Sequence, residues 1–334
     1  MPSLTRREVL GAMASTPLLA ATGKAEIPAE VIRRHDEAVD NCLRLQITDP
    51  ASRGYGSLRE PRGIYSGHGA SGLMAIYMAA FLQPRSKFHK NNLLVDRMKL
   101  GAHYLTHSQH EDGFIDYLET NFDSPPDTAF GVIDVATAAC LAKRHNEPEL
   151  LAIPEPFLRK AGAGLAVGGI HTPNHRWVVS ASLAQINEVF PNPAYLHRID
   201  QWLAEGIDID ADGQFTERST SVYNSICDRA FVVLAAKLNR PALLDPVRRN
   251  LNSMMYLVHP DGEVVTEISH RQDRDQHGTM ARYWFPLQYM GVHDQNGQFA
   301  TLAQQLAPVS ASLPAFMEYP ELVGSLPPGQ ALPS

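Results

Sequence analysis

The 334-residue chain has no run of roughly 18 apolar residues, which excludes a multi-span helical membrane protein. It has three cysteines, Cys42, Cys140 and Cys227, widely spaced and without a Cys-x-x-Cys pair. They define neither a zinc site nor a disulfide framework. Positive charge is short: 29 Lys and Arg against 36 Asp and Glu give a net charge of −7, which argues against a generic nucleic-acid binder. Val-Ile-Thr alternation is rare and leaves room for one short strand pair near residues 262–269. The 24 Pro and 23 Gly are scattered, which excludes collagen-like repeats and a disordered chain. What is present is 44% hydrophobic residues, enough for a sizeable core.

Residues 1–25 read as an address. Arg6 and Arg7 lie in a short polar start, and a modestly apolar, Ala-rich run follows from Val9 to Ala21. That run is too short and weak for a permanent anchor. Thr5-Arg6-Arg7-Glu8-Val9-Leu10 resembles the bacterial twin-arginine export motif, with Val9 where Phe is more usual. The expectation is a signal peptide over 1–25 and a periplasmic or secreted protein with no membrane attachment after cleavage. Removing Arg6, Arg7 and Lys24 against Glu8 would take the net charge from −7 to near −9.

Helical periodicity dominates from residue 28 onward. It predicts helices over 28–46, 68–83, 91–108, 128–145, 155–164, 174–189, 194–205, 221–238, 241–258, 278–290 and 297–307. Short Pro-, Gly- and Asp-rich loops separate them. Three loops are alike: Asp112-Gly113-Phe114, Asp212-Gly213-Gln214 and Asp261-Gly262-Glu263. Their spacings suit two units and one unit of about fifty residues, each a helical hairpin that stacks on its neighbours. About five to six hairpins closing into an all-α (α/α) toroid over 26–310 is the expected fold, with a Pro-rich tail over 311–334. Its loops would converge on one rim. The plain alternative is that Asp-Gly is a common turn.

The chemistry concentrates in three segments. His171-Thr172-Pro173-Asn174-His175-Arg176-Trp177 opens a predicted helix, whose first-turn N–H groups favour anionic ligands. Asn174 reads either as a helix cap or as a ligand group. Then Asp212-Gly213-Gln214-Phe215-Thr216-Glu217-Arg218 leads to Tyr223-Asn224 at the start of a later helix. Finally Glu267–His277 packs His270, Arg271, Arg274 and three acids into one loop. Arg271 or Arg274 suits bidentate capture of a carboxylate, and His270 suits a second acid/base. His103 and His107 share a helix face, but no third ligand and no standard metal spacing is evident.

The order Asn-His-Arg-Trp followed by Asp-Gly-x-Phe-x-Glu and a Tyr resembles the toroid domain of the heparinase II/III-like and oligoalginate lyase-like polysaccharide lyases. The resemblance implies a lyase acting on acidic, uronate-containing glycans, without a cofactor. By it, Asn174 and His175 neutralise the uronate carboxylate or abstract the C5 proton, and Tyr223 serves as acid, or as acid and base. Arg176, Trp177, Glu217, Arg218, His270, Arg271 and Arg274 are then the expected substrate-binding residues. The residue types suit the chemistry. Donors to the carboxylate stabilise the developing enolate, a base removes the proton and an acid protonates the departing O4. A Tyr acting as base needs a nearby cation, for which Arg176, Arg218 and Arg229 are candidates. Those lyases carry a β-sandwich after the toroid, and no segment of that size follows residue 310 here.

Two other readings stay open. A glycoside hydrolase on the same toroid would need paired carboxylates, with Asp112, Asp116, Asp134, Asp212 and Glu217 as candidates. A non-catalytic glycan-binding protein would use aromatic platforms such as Trp177, Trp202, Tyr223 and Trp284.

Overall fold

Helix starts are written into the sequence as capping residues and prolines. In the computed structural model, which describes residues 26–59, 63–118, 121–259 and 261–333, Ser66 caps α2 (Gly67–Leu82), and Ser124 caps α4 (Pro125–Arg144) by accepting from the Asp127 N–H. Prolines open α4, α7 (Pro173–Val189) and α8 (Pro193–Ala204), where a missing N–H costs nothing. The remaining main helices are α1 (Ala29–Leu45), α3 (Asn92–Ser108), α5 (Pro148–Leu151), α6 (Glu155–Leu165), α9 (Tyr223–Leu238), α10 (Leu244–Met254), α11 (Trp284–His293), α12 (Gly297–Ser310) and α13 (Leu313–Glu318). The expected signal segment, 1–25, lies outside the described residues.

Burial sorts these helices into two rings. Helices α2, α4, α7, α9 and α11 are buried nearly all round and pack on one another in that order. Helices α1, α3, α6, α8, α10 and α12 bury one face against them. Arg34 of α1 donates to the carbonyls of Ala307, Pro308 and Ala311 at the end of α12, joining first and last outer helices. The all-α toroid is thus the observed fold.

The segment expected as a tail carries α13, which packs against α1, α2 and α4, and a short 3-10 turn (Pro320–Val323), which packs against α11. Glu318 of α13 is buried at the far end of the ring. There it accepts from Thr137 and Gln185 and pairs with Lys237 at 2.9 Å.

The loops entering the inner helices form the opposite rim. The three Asp-Gly loops have one geometry: the Gly N–H donates to the carbonyl three residues back, and that residue's N–H closes a small hairpin. Gly113 has φ 99° and Gly213 φ 83°. A Cβ there would lie 2.3 Å from the Lys160 carbonyl oxygen and 2.4 Å from that of Arg249, so each loop is pressed onto the backbone of the next outer helix. Gly56 makes the same approach to Leu100, so the loop after α1 is a further copy without the Asp-Gly signature. One expectation is corrected. The short two-stranded sheet follows the first Asp-Gly loop, pairing β1 (Ile115–Tyr117) with β2 (Asn121–Ser124), and residues 262–269 form only isolated bridges.

Candidate functional site

The rim at the start of α7 and α9 brings together five of the ten expected site residues. Asn174 is wholly buried. Its backbone N–H and its Nδ2 both donate to Glu217 Oε2, at 3.0 and 2.7 Å. Glu217 Oε1 accepts from Arg271 at 2.7 Å. The Arg271 guanidinium lies over the Tyr223 ring, 4.7 Å from its centre. The Tyr223 hydroxyl accepts from Gln272. Glu217 therefore joins the α7 start to the loop that carries Arg271, and Arg271 places a cation on the tyrosine.

His175 faces the same space. It is 8% exposed, its Nδ1 is buried without a partner, and its ring meets His171 edge-on at 4.7 Å. Burial, then the neighbouring His171 and Arg271, push its pKa down to about 4, against a raising pull from Asp127. The imidazole is neutral at pH 7 and able to accept a proton.

The Arg271 loop is fastened from behind. Asp273 accepts from the hydroxyls of Ser219, Ser221 and Ser269 and from the Ser221 N–H. Burial raises the carboxyl, and these hydrogen bonds outweigh it, so its pKa lies below the usual range. Tyr283 donates to Thr220 O and holds the same turn from α11's side.

The other expected residues lie elsewhere. Trp177 has no exposed surface and donates its indole N–H to Asp208, so it is core and not a sugar platform. Trp202 and Trp284 are also buried. Arg176 pairs with Asp208 at 2.8 Å and with Glu205 in the loop that enters α9, over the Trp177 ring, and has no contact with the His175, Tyr223 and Arg271 cluster. Arg218 is half-buried and paired with Asp210, and Arg274 is exposed near Asp275. His270 is exposed beside the cluster, its Nδ1 against Thr216 O. His171, Asp127 and Phe130, which packs edge-on to His175, are the rim residues that pattern reading passed over. His171 lies in the bend before α7, so its contact with His175 comes from the loop and not from a helical face. A shallow hollow of about 410 Å³ by Asp212, Arg249 and Tyr256 contains none of the rim cluster.

No protein-family model matches the chain, and no curated protein does at a significant level. Among solved structures, a sugar epimerase from a ruminal bacterium has a similar fold, with a TM-score of 0.55 and 12% identity over 82% of this chain and 84% of that one. The similarity places the chain among helical toroids. It is a similarity of fold alone.

Proposed function

We propose that this protein is a carbohydrate-active enzyme that performs proton-transfer chemistry on a uronate unit at the rim, ending in β-elimination. The observation that carries the reading is a neutral, half-free imidazole beside a tyrosine covered by an arginine: His175, Tyr223 and Arg271. In this reading Arg271 draws the uronate carboxylate and stabilises the enolate that forms when the C5 proton leaves. His175 takes that proton. Tyr223 donates its hydroxyl proton to the departing O4, and the C4–O bond electrons leave with that oxygen as the C4=C5 double bond forms. Asn174 and Glu217 act at one remove, as the brace that sets Arg271. The exported location and the acidic glycan substrate belong to the same proposal.

A second outcome shares the first half of this chemistry. If the enolate is reprotonated on its opposite face before O4 departs, the product is the C5 epimer. The toroidal neighbour's description as a sugar epimerase favours keeping that outcome in view. The two separate cleanly: elimination creates a conjugated double bond seen in the ultraviolet, and epimerisation in heavy water incorporates deuterium at C5 without that absorbance.

A further inference from the structure

The inner helices are partly open along one line each. On α9, Tyr223, Ile226 and Arg229 recur at three-residue steps and retain solvent access. On α4, Asp127, Phe130 and Asp134 recur at three and four. Such spacing is one helical face, so both stripes run from the rim down into the lumen of the ring. The lumen opens beneath the rim into a cavity of about 310 Å³ lined by Asp134, Thr137, Arg229, Arg282, Trp284 and Glu318. Glu318 and its partners Thr137, Gln185 and Lys237 form the floor. That volume is at the small end of ligand pockets, which span about 300–1,000 Å³.

Three charged groups in this cavity, Arg229, Arg282 and Asp134, have no side-chain hydrogen bond or ion pair among the described residues. Among the described residues Arg229 has no hydrogen bond or ion pair; its guanidinium lies 5.8 Å from the centre of the Phe285 ring. Asp134 likewise has no hydrogen-bond partner among them. Burial raises its pKa, with Arg229 and His68 opposing. Asp134 is partly buried with the exposed Arg229 as its main opposing charge, and both present unbonded polar atoms to the cavity, where a ligand carrying a carboxylate and hydroxyls could meet them.

We infer that the lumen is a blind subsite for one end of a uronate chain, with Arg229 taking the carboxylate of the terminal unit and Asp134 bonding its hydroxyls. This rests on the proposed reading of the rim and makes the protein act at a chain end. In this reading Glu318 and its partners stand across the far end of the lumen, so a short oligomer brings its end past Tyr223 and His175 to Arg229.

Binding tests this without turnover. The Tyr223→Phe protein is titrated by calorimetry with a uronate trisaccharide, with the same trisaccharide as its reducing-end methyl glycoside, and with its non-reducing end O-methylated. Blocking one end, and only one, is expected to weaken binding at least tenfold. Arg229→Met added to that protein is expected to weaken the unblocked trisaccharide tenfold or more and to erase the difference between blocked and unblocked forms. Its thermal midpoint should not move, since Arg229 is exposed. Equal binding of all three ligands, an unchanged Kd in Arg229→Met, or no binding at all overturns the subsite. Elimination by the unsubstituted enzyme, followed separately in the ultraviolet, decides the rim reading whatever the titration shows.

Discussion

At the residue scale, the site depends on groups held in an unusual state by their neighbours. His175 is kept neutral by burial and by adjacent cationic groups, with its pKa near 4. Activity limited by this base should hold from neutral pH down to about pH 5 and fall through pH 4, well below where an ordinary histidine would lose it. A pH profile of kcat/KM checks this. The same shift acts on stability. Between the ordinary histidine value and 4 the unfolded chain binds a proton that the folded one does not, so stability drops as pH falls through that window, by roughly 3 kcal/mol in all. His175→Gln should flatten that part of a denaturation-against-pH curve. His175→Ala and Tyr223→Phe should each lower kcat by about 10²–10⁴-fold. Glu217→Gln keeps the shape but removes the charge that pairs with Arg271, and should raise KM more than it lowers kcat.

Residue-scale legibility was uneven for a geometric reason. His175, Glu217, Tyr223 and Arg271 stand out in the sequence as polar groups at helix starts and loop ends, and they meet. Trp177 and Arg176 stand beside His175 in sequence but not in space. A residue two positions on lies on the opposite side of a helix, so a His175 that faces the lumen sends Trp177 into the core. Arg218 and Arg274 fail for another reason: their neighbours Glu217 and Asp273 are the side chains buried between the two loops, and the arginines beside them pair at the surface with Asp210 and Asp275.

At the element scale, loops carry the function and helices aim them. Asp273 ties the Arg271 loop to the turn before α9 through three serines. Asp273→Ala should lower kcat/KM by about 10- to 100-fold by letting Arg271 drift from Tyr223, and Asp273→Asn should recover part of it. The Asp-Gly loops are the element-scale signature of the ring. Gly213→Val forces a branched side chain into a left-handed backbone against the Arg249 carbonyl. It should cost roughly 1–3 kcal/mol, read as a lower thermal midpoint. The repeat was visible only where Asp-Gly marks it. The Gly56 loop makes the same approach to an outer helix with a different turn sequence, and only packing reveals it. The strand pair was expected at the wrong loop because β propensity near Val264-Val265 was stronger than at Ile115–Tyr117, where the pairing forms.

For the whole molecule, closure of the ring is what gives the proposed substrate a lumen to enter. Helical periodicity made the two-ring toroid readable, since inner and outer helices differ in how much of their circumference is apolar. The role of α13 was not readable. A short Pro-flanked segment gives little periodicity, and its importance comes from one buried acid, Glu318, meeting Lys237, Thr137 and Gln185 from three inner helices. Glu318→Ala would leave the buried Lys237 with Glu188 as its one remaining ion pair among the described residues and should cost roughly 3–5 kcal/mol. Thermal unfolding measures it directly. For the proposed acidic glycan, the net charge of −7 repels at long range, and the proposal therefore places its capture on the local arginines of the rim and lumen.

The central claim is elimination by His175 and Tyr223. It is tested most directly by ultraviolet absorbance of the conjugated double bond while the purified protein meets a panel of uronate polymers and oligomers. The account predicts a rise with at least one uronate substrate that is lost in both His175→Ala and Tyr223→Phe. No rise across the panel, or a rise that survives both substitutions, would contradict it.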